Sequence, residues 1–433
     1  MLRKIVVVNK YHFISGGAER YFLTIMETLR KKGIEAIPFS VNYPKTIDTP
    51  YRKYFIDPVV LDGEAKIQNQ KSVTASQKLK MAANVVWNAD AARGIEKLID
   101  AEQPDLAYFL NFNNHIGPSA IEACNKRGVP VIMRMSDFNL VCSSNMYYRD
   151  GMPCTDCKKG VQNAIIHRCV HGSAAKSAVA AFAHVVHRAR GVYGKVSAFV
   201  APTQFMKNDL IEFGIPREII HQINTFAKPL PKIEPDMANP FILFVGRFAP
   251  YKGIDIAIKA FALVKNRKNV ILKLVGDEGD SDADRVKTLA RQLGAEGIEF
   301  LPFERNKEKL LQLYQRSLFT LVPSENYENL PNTLLESFSC GRPVISTRLG
   351  SLPDIVKENE YGLLFEYGNA ADFASKMEWM IDHPEEREAM GNKVYQAIQT
   401  DFSEEQHMHK LLQVFNSVLK SNISAFPEVL SLV

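Results

Sequence analysis

No stretch of this 433-residue chain approaches the roughly 18–20 consecutive apolar residues that a membrane-spanning helix needs. The longest Ala/Val-rich piece, 177–186, stops at His187-Arg188. After Met1-Leu2-Arg3-Lys4 only Ile5 to Val8 precede Asn9-Lys10, too short for a signal-peptide core, so this start reads as a first β-strand. A cytoplasmic protein is therefore expected, at most peripheral at the inner face of a membrane. Charge of one sign is also scarce. Lys and Arg outnumber Asp and Glu by 53 to 48, and the pI near 8.7 suits anionic small molecules or an anionic membrane without calling for nucleic acid. No short-period repeat and no G-x-G-x-x-G fingerprint of a bound dinucleotide is present. Hydrophobic content of 46% and charged content of 23% are ordinary globular values that favour neither a disordered nor a membrane-embedded class.

What is present is a chain long enough for two large domains at about 100–200 residues each. Strand 4–8 leads through Gly16-Gly17 into a helix over 18–32, whose Tyr21, Phe22, Ile25, Met26 and Leu29 recur at helical spacing. Small residues between a strand end and a helix start let a phosphate or sugar approach backbone amides, although a plain turn uses the same pair. Strand 34–39 follows. The segment 51–93 is polar with little periodicity, and Lys66, Lys71, Lys78 and Lys80 give it either a solvated surface or a basic face for anionic lipid. Strand and helix alternate again at 106–110, 118–127 and 129–135, the pattern of a parallel α/β sheet. His115 and Asp137 stand at the carboxyl ends of two of these strands, where open sheets bind ligands; a plain loop histidine and a cap carboxylate are the ordinary alternatives.

Four of the six cysteines, Cys142, Cys154, Cys157 and Cys169, are separated by eleven, two and eleven residues. In a reduced compartment such a set suits a structural, tetrahedral zinc, with His167 and His171 as reserve ligands; incidental thiol pairs or disulfides are the alternatives. They lie in an insertion over 137–172. Prolines at 229, 231, 235 and 240 mark a linker, 229–240. The expected organisation is α/β: a doubly wound domain over 1–228, a second over 241–402, and a helix over 403–433 packing back towards the first.

The second domain opens with an apolar strand, 241–245, that ends in Gly246-Arg247-Phe248-Ala249-Pro250-Tyr251-Lys252-Gly253. The planar fork of Arg247 and the point charge of Lys252 can hold a diphosphate without a metal ion; surface salt-bridging is the ordinary alternative. Asp280-Ser281-Asp282-Ala283-Asp284 resembles a metal-binding Asp-x-Asp but directly precedes a helix, so it is read as a cap. The most informative stretch is 323–336. A helix is expected over 331–340 with Pro331 at its first position, and Gly341 and Pro343 stop it. Glu328 then lies just before that helix and Glu336 inside it, so two carboxylates bracket a helix start able to hold phosphate, a spacing suited to a nucleotide sugar.

The Glu328-x7-Glu336 pattern running on to Gly341-Arg342-Pro343, the Arg247–Lys252 loop and the Gly-Gly-Ala-Glu-Arg sequence at 16–20, in this order, resemble the GT-B glycosyltransferases. The likeness is closest to retaining enzymes of glycosyltransferase family 4 (glycosyl transferases group 1), and the cysteine-bearing insertion resembles members that build bacterial surface polysaccharides. The resemblance implies two Rossmann-like domains facing a cleft and a metal-independent transfer of a sugar from a nucleotide diphosphate, with no cofactor required. It places Arg247 and Lys252 on the diphosphate, Glu336 on the ribose and Glu328 on the sugar. Asn329, Leu330, Pro331 and Asn332 complete the phosphate site, and Gly16 and Gly17 face it from the other domain. It implies a lipid-linked or oligosaccharide acceptor on the first domain. The chain departs from the pattern at Ser136, Tyr108 and Leu110, where the family often has histidines; His115 and Asp137 are the substitutes at hand. That departure leaves two other readings, a non-catalytic nucleotide-sugar-binding subunit of a polysaccharide assembly complex and a GT-B nucleotide-sugar epimerase.

Overall fold

The computed structural model describes residues 2–59, 74–113, 115–276 and 282–424. Its two halves each contain a six-stranded, all-parallel sheet with helices on both faces. In the first the spatial order is Glu35–Phe39, Lys4–Val8, Leu106–Phe109, Val131–Arg134, Ala198–Ala201, Ile220–Gln222, with Val6 facing Ile37 on one side and Ala107 on the other. In the second it is Ile298–Pro302, Ile271–Gly276, Phe241–Val245, Thr320–Val322, Val344–Thr347, Gly362–Phe365. The central strands are buried throughout, which is why they read as unbroken apolar runs instead of alternating ones. Pro38 is accommodated because its strand is the edge of the first sheet, where no neighbour needs its missing N–H.

Several local expectations need correction. The helix expected over 331–340 spans Asn332–Ser339, and Pro331 is its N-cap, with φ −71° and ψ 132°, outside the helix. Among the described residues, the polar segment 51–93 holds the helix Ala75–Val86 and the start of another, Ala89–Glu102. Ala75–Val86 is started by a capping box between Thr74 and Gln77; Ala89–Glu102 is capped by Asn88 and buries Ala91, Ile95, Leu98 and Ile99. Asp282 occupies the N-cap of Ala283–Gln292 but makes no capping bond, because its carboxylate binds Arg285 Nε at 2.8 Å; 280 and 281 lie outside the described residues. Lys66 and Lys71 also lie outside them, and Lys80 pairs with Asp90 at 3.6 Å.

The segment 228–240 contains no helix or strand. Leu230 N donates to Ser339 O and the Gln315 amide to Pro231 O, which fastens it along the second domain. The last helix, Glu404–Ser424, returns to the first sheet. Met408, Leu411, Val414 and Phe415 share a core with Ile5, Val7, Tyr108 and Val200. The chain thus crosses to the second domain along this linker and returns to the first sheet with its last helix.

Candidate functional site

Two helix starts meet where the domains face each other. The helix Gly17–Lys31 begins after Gly16 and the helix Asn332–Ser339 after Pro331, and neither preceding residue supplies a side-chain cap. A Cβ built on Gly17 would lie 1.7 Å from Asn332 Nδ2, so only glycine allows this approach. Asn329 Nδ2 donates to Met135 O at 2.9 Å beside it, joining the loop before the second helix to the end of a first-domain strand. Uncapped helix starts present unpaired N–H groups and the positive end of the helix dipole, a ready anion site. Pro331 has no N–H, so within 329–332 only Asn329, Leu330 and Asn332 can offer amides, a correction to the expectation that all four residues would.

Charged side chains surround this point. Lys252 Nζ lies 2.6 Å from Glu328 Oε1, which also accepts from Ser324 Oγ at 2.9 Å, and the Glu328 side chain is only 12% exposed. Gly253 turns the Arg247–Lys252 loop with φ +72°, and a Cβ there would sit 1.7 Å from Pro323 O; Glu325 N donates to Tyr251 O. The loop is thus pressed against the 323–329 segment, with no room for a larger residue at Gly253. Arg247 is exposed and makes no ion pair among the described residues.

Glu336 pairs with Arg20 of the first domain at 3.5 Å. Burial pushes its carboxyl above the usual range, opposed by Tyr314, Arg20 and Lys307. Glu336, Arg20 and Lys307, with Gly17, Thr225, Lys228 and Asn332, line a cavity of about 380 Å³ between the domains. Arg20 was not among the residues singled out from the sequence. Its signal was available, since it lies three residues after Gly17, nearly one helical turn further along the same face.

On the first-domain side, burial pushes the Asp137 carboxyl up to about 6, against hydrogen bonds from Asn139 N and the Asn113 amide. Met135, two residues before it, is the one bonded by Asn329, so Asp137 stands beside the contact between the domains. His115 belongs to a separate set of contacts, with Tyr43 OH 3.4 Å from its Nδ1 and its carbonyl bonded by Asn88. Ser136 Oγ accepts from Arg134 at 3.3 Å, and Arg134 lies 4.1 Å over the Tyr21 ring. Tyr21 OH bonds both Tyr108 OH at 3.0 Å and His407 Nε2 at 2.9 Å. Ser136 and Tyr108 therefore serve a network that ties the last helix to the first sheet, and Leu110 is part of the same core.

Residues 228–397 match the family model described as "Glycosyl transferases group 1". The chain is 34% identical over 150 residues to a D-inositol 3-phosphate glycosyltransferase of Acidothermus cellulolyticus, covering 33% of each protein; the matched stretch is thus about a third of that relative's length. It is 24% identical over 421 residues to the lipopolysaccharide core biosynthesis glycosyltransferase LpsE of Rhizobium meliloti, covering 95% of this chain and 99% of that one. Anabaena Alr3699/HepE, solved in complex with UDP, superposes with a TM-score of 0.64 at 16% identity over 96% of this chain and 100% of its own. The fold is that of the GT-B glycosyltransferases.

Across the GT-B cleft the cysteine-bearing insertion forms a bridge between the two domains. Its hairpin, Tyr148–Arg149 with Met152–Pro153, sets Tyr148 edge-on to Tyr251 at 6.1 Å and Gly151 O against Tyr367 OH at 3.4 Å. Tyr147 stacks on Phe138 at 4.5 Å, bonds Asp209 through its hydroxyl, and meets Tyr327 edge-on at 5.7 Å; Tyr327 in turn stacks on Phe205. The aromatic rings therefore brace both second-domain loops that border the site.

All four cysteines of the insertion carry free thiols, with Cys142 and Cys157 buried and Cys154 and Cys169 partly so. The Cys157 thiol holds Cys142 below the usual thiol range and is itself pushed up by that contact; Cys169 is pushed up by burial and by the nearby Cys142 and Cys154. The four thus share one neighbourhood. Among the described residues no group of three or more His, Cys, Asp or Glu side chains is arranged to hold a metal ion.

Proposed function

We propose that the protein is a glycosyltransferase that moves a sugar from a nucleotide-diphosphate donor to an acceptor hydroxyl with retention at the anomeric carbon. The observation that carries this reading is the meeting of two uncapped helix starts at Gly17 and Asn332, with Lys252–Glu328 on the second-domain loops and Glu336 lining the cavity beside them. HepE, of the same fold, was solved with UDP, which favours a nucleotide donor here too.

Cleaving the bond between sugar and diphosphate concentrates negative charge on the leaving group. The helix starts, Arg247 and Lys252 stabilise that charge without a metal ion. Glu328, paired to a cation and low in exposure, accepts hydrogen bonds from sugar hydroxyls in place of acting as a nucleophile. Glu336 takes the ribose hydroxyls once Arg20 releases it. The departing phosphate oxygen takes the acceptor proton, so neither Ser136 nor His115 is needed as a base.

The acceptor in this reading is a lipid-linked or soluble oligosaccharide in surface polysaccharide or glycolipid synthesis, a role supported by the end-to-end likeness to LpsE. A structural zinc on Cys142, Cys154, Cys157 and Cys169 belongs to the same proposal. It requires the partly exposed Cys154 and Cys169 to turn onto the Cys142–Cys157 pair, and metal analysis of the purified protein tests it. The transferase is tested with Arg247→Ala and Glu336→Ala across UDP, GDP and ADP sugars. Nucleotide-induced stabilisation and transfer should both fall in each variant; wild-type behaviour in both would overturn the donor-site assignment.

A further inference from the structure

Among the described residues the fold buries three arginines, Arg134, Arg342 and Arg387. Two of them are provided for. Arg342 gives its guanidinium to the carbonyls of Gln315 and Ile233, with Glu234 and Glu388 near it, and Arg387 bonds Met380 O with Glu388 near. Arg134, which ends the strand Val131–Arg134 and is 7% exposed, has neither a carbonyl nor a carboxylate among the described residues. Its Nη1 donates to Ser136 Oγ at 3.3 Å, its Nη2 to Thr225 Oγ1 at 2.6 Å, and its Nε has no partner. The groups beyond are neutral as well. Its guanidinium lies over the Tyr21 ring, whose hydroxyl bonds Tyr108 and His407, and that histidine is held uncharged by burial and in part by Arg134 itself.

A cation taken out of water with no opposing charge is among the largest penalties a fold can carry, so its partner is expected from outside the chain. The position says which partner. Tyr21 and Thr225, two of the side chains that touch Arg134, both line the cavity between the domains. Tyr21 lies one turn after Gly17 on the helix Gly17–Lys31, so the guanidinium stands behind the same uncapped helix start that opens on that cavity. Met135, next to Arg134 in the chain, accepts from Asn329 of the second domain.

We propose that Arg134 is a positioning residue for the donor, and that its missing counter-charge is the diphosphate held at the Gly17 and Asn332 helix starts. It acts without contact. Its charge works through the wall formed by Tyr21 and Thr225, where buried surroundings screen little, and draws the diphosphate to the first-domain side of the cleft while Arg247 and Lys252 hold it from the second. The inference rests on the donor reading above, and it adds a first-domain cation to a phosphate site otherwise built from second-domain charges and helix starts.

The test is binding of the full chain to whichever of UDP, GDP and ADP stabilises the wild type most, and to the matching monophosphate and nucleoside. Arg134→Gln can still bond the Ser136 and Thr225 hydroxyls but lacks the charge. It should lose about tenfold in affinity for the diphosphate, less for the monophosphate and nothing for the nucleoside. Arg134→Lys keeps the charge without the fork and should stay within about threefold of the wild type for all three, so it decides the matter where Arg134→Gln does not fold. A loss graded by ligand charge is a result that a merely structural arginine would not give. Equal losses for the three ligands in Arg134→Gln overturn the proposal, as does a tenfold loss of the diphosphate in Arg134→Lys. Wild-type diphosphate affinity in Arg134→Gln overturns this inference alone, whereas a wild type that binds none of the three diphosphates overturns the donor reading with it.

Discussion

Gly17 and Asn332 touch across the two domains so closely that a single added carbon on the glycine would fall 1.7 Å from the asparagine Nδ2 and 2.6 Å from its Cγ. Asparagine is short, so it cannot yield without turning its amide out of the site. Gly17→Ala should therefore part the domains or displace Asn332, and a misplacement of this size at a reacting centre costs on the order of a hundredfold in kcat/KM. Stability should hold or rise slightly, since alanine favours the first turn of a helix over glycine. Thermal melting alongside donor turnover separates the two effects. Undiminished turnover in Gly17→Ala would mean that this contact is not part of the working site.

His407 predicts the acid response. It is buried, with Nε2 on Tyr21 OH and Nδ1 2.7 Å from Asn224 O, and burial holds its pKa down to about 4. In the unfolded chain the imidazole titrates near 6.5. A histidine kept neutral by folding supports the native state fully above that value, and the support is lost as pH falls from about 6.5 towards about 4. Between pH 7.5 and pH 5 the loss from this one group is at most about 2 kcal/mol. His12 and His184 are lowered to about 4 for the same reason and add to the trend. Melting temperatures should fall over that interval, and His407→Gln should flatten part of the slope. An unchanged slope in the variant would show that the last helix is not held by a neutral His407.

The sheets were legible because their strands are buried on both faces and leave continuous apolar runs, as in Phe241–Val245. The helix Ala75–Val86 was not, because it buries no residue and stands in a Lys-rich polar segment. Its capping box, Thr74 with Gln77, was the usable signal. Glu328, Glu336, Arg247 and Lys252 could be picked out because they fall in two short stretches, each running from a strand end into a helix. Which side chains meet across the domains could not be read: Arg20 pairs with Glu336, and Tyr147 meets Tyr327, across separations in sequence that no local pattern encodes. Pro331 was misplaced by one position because proline suits both the N-cap and the first helical residue, and only the backbone angles distinguish them.

The Lys252–Glu328 pair, 2.6 Å apart, separates the role of the cation from that of the carboxylate. If Lys252 serves the diphosphate, Lys252→Met weakens binding of the bare nucleoside diphosphate and slows transfer, each by about tenfold or more, the range of a lost charge-assisted hydrogen bond. It also leaves Glu328 poorly solvated with Ser324 as its remaining side-chain partner, so melting should fall modestly. Glu328→Gln does the reverse to the nucleotide. It releases Lys252 from its carboxylate, so nucleoside diphosphate binding should hold or tighten, while transfer falls because the sugar loses its strongest hydrogen-bond acceptor. Calorimetric titration of both variants with the nucleotide product and with the intact donor sugar reads the two outcomes. Weakened nucleotide binding in both variants would mean that Glu328 shapes the phosphate site itself and not the sugar pocket beyond it.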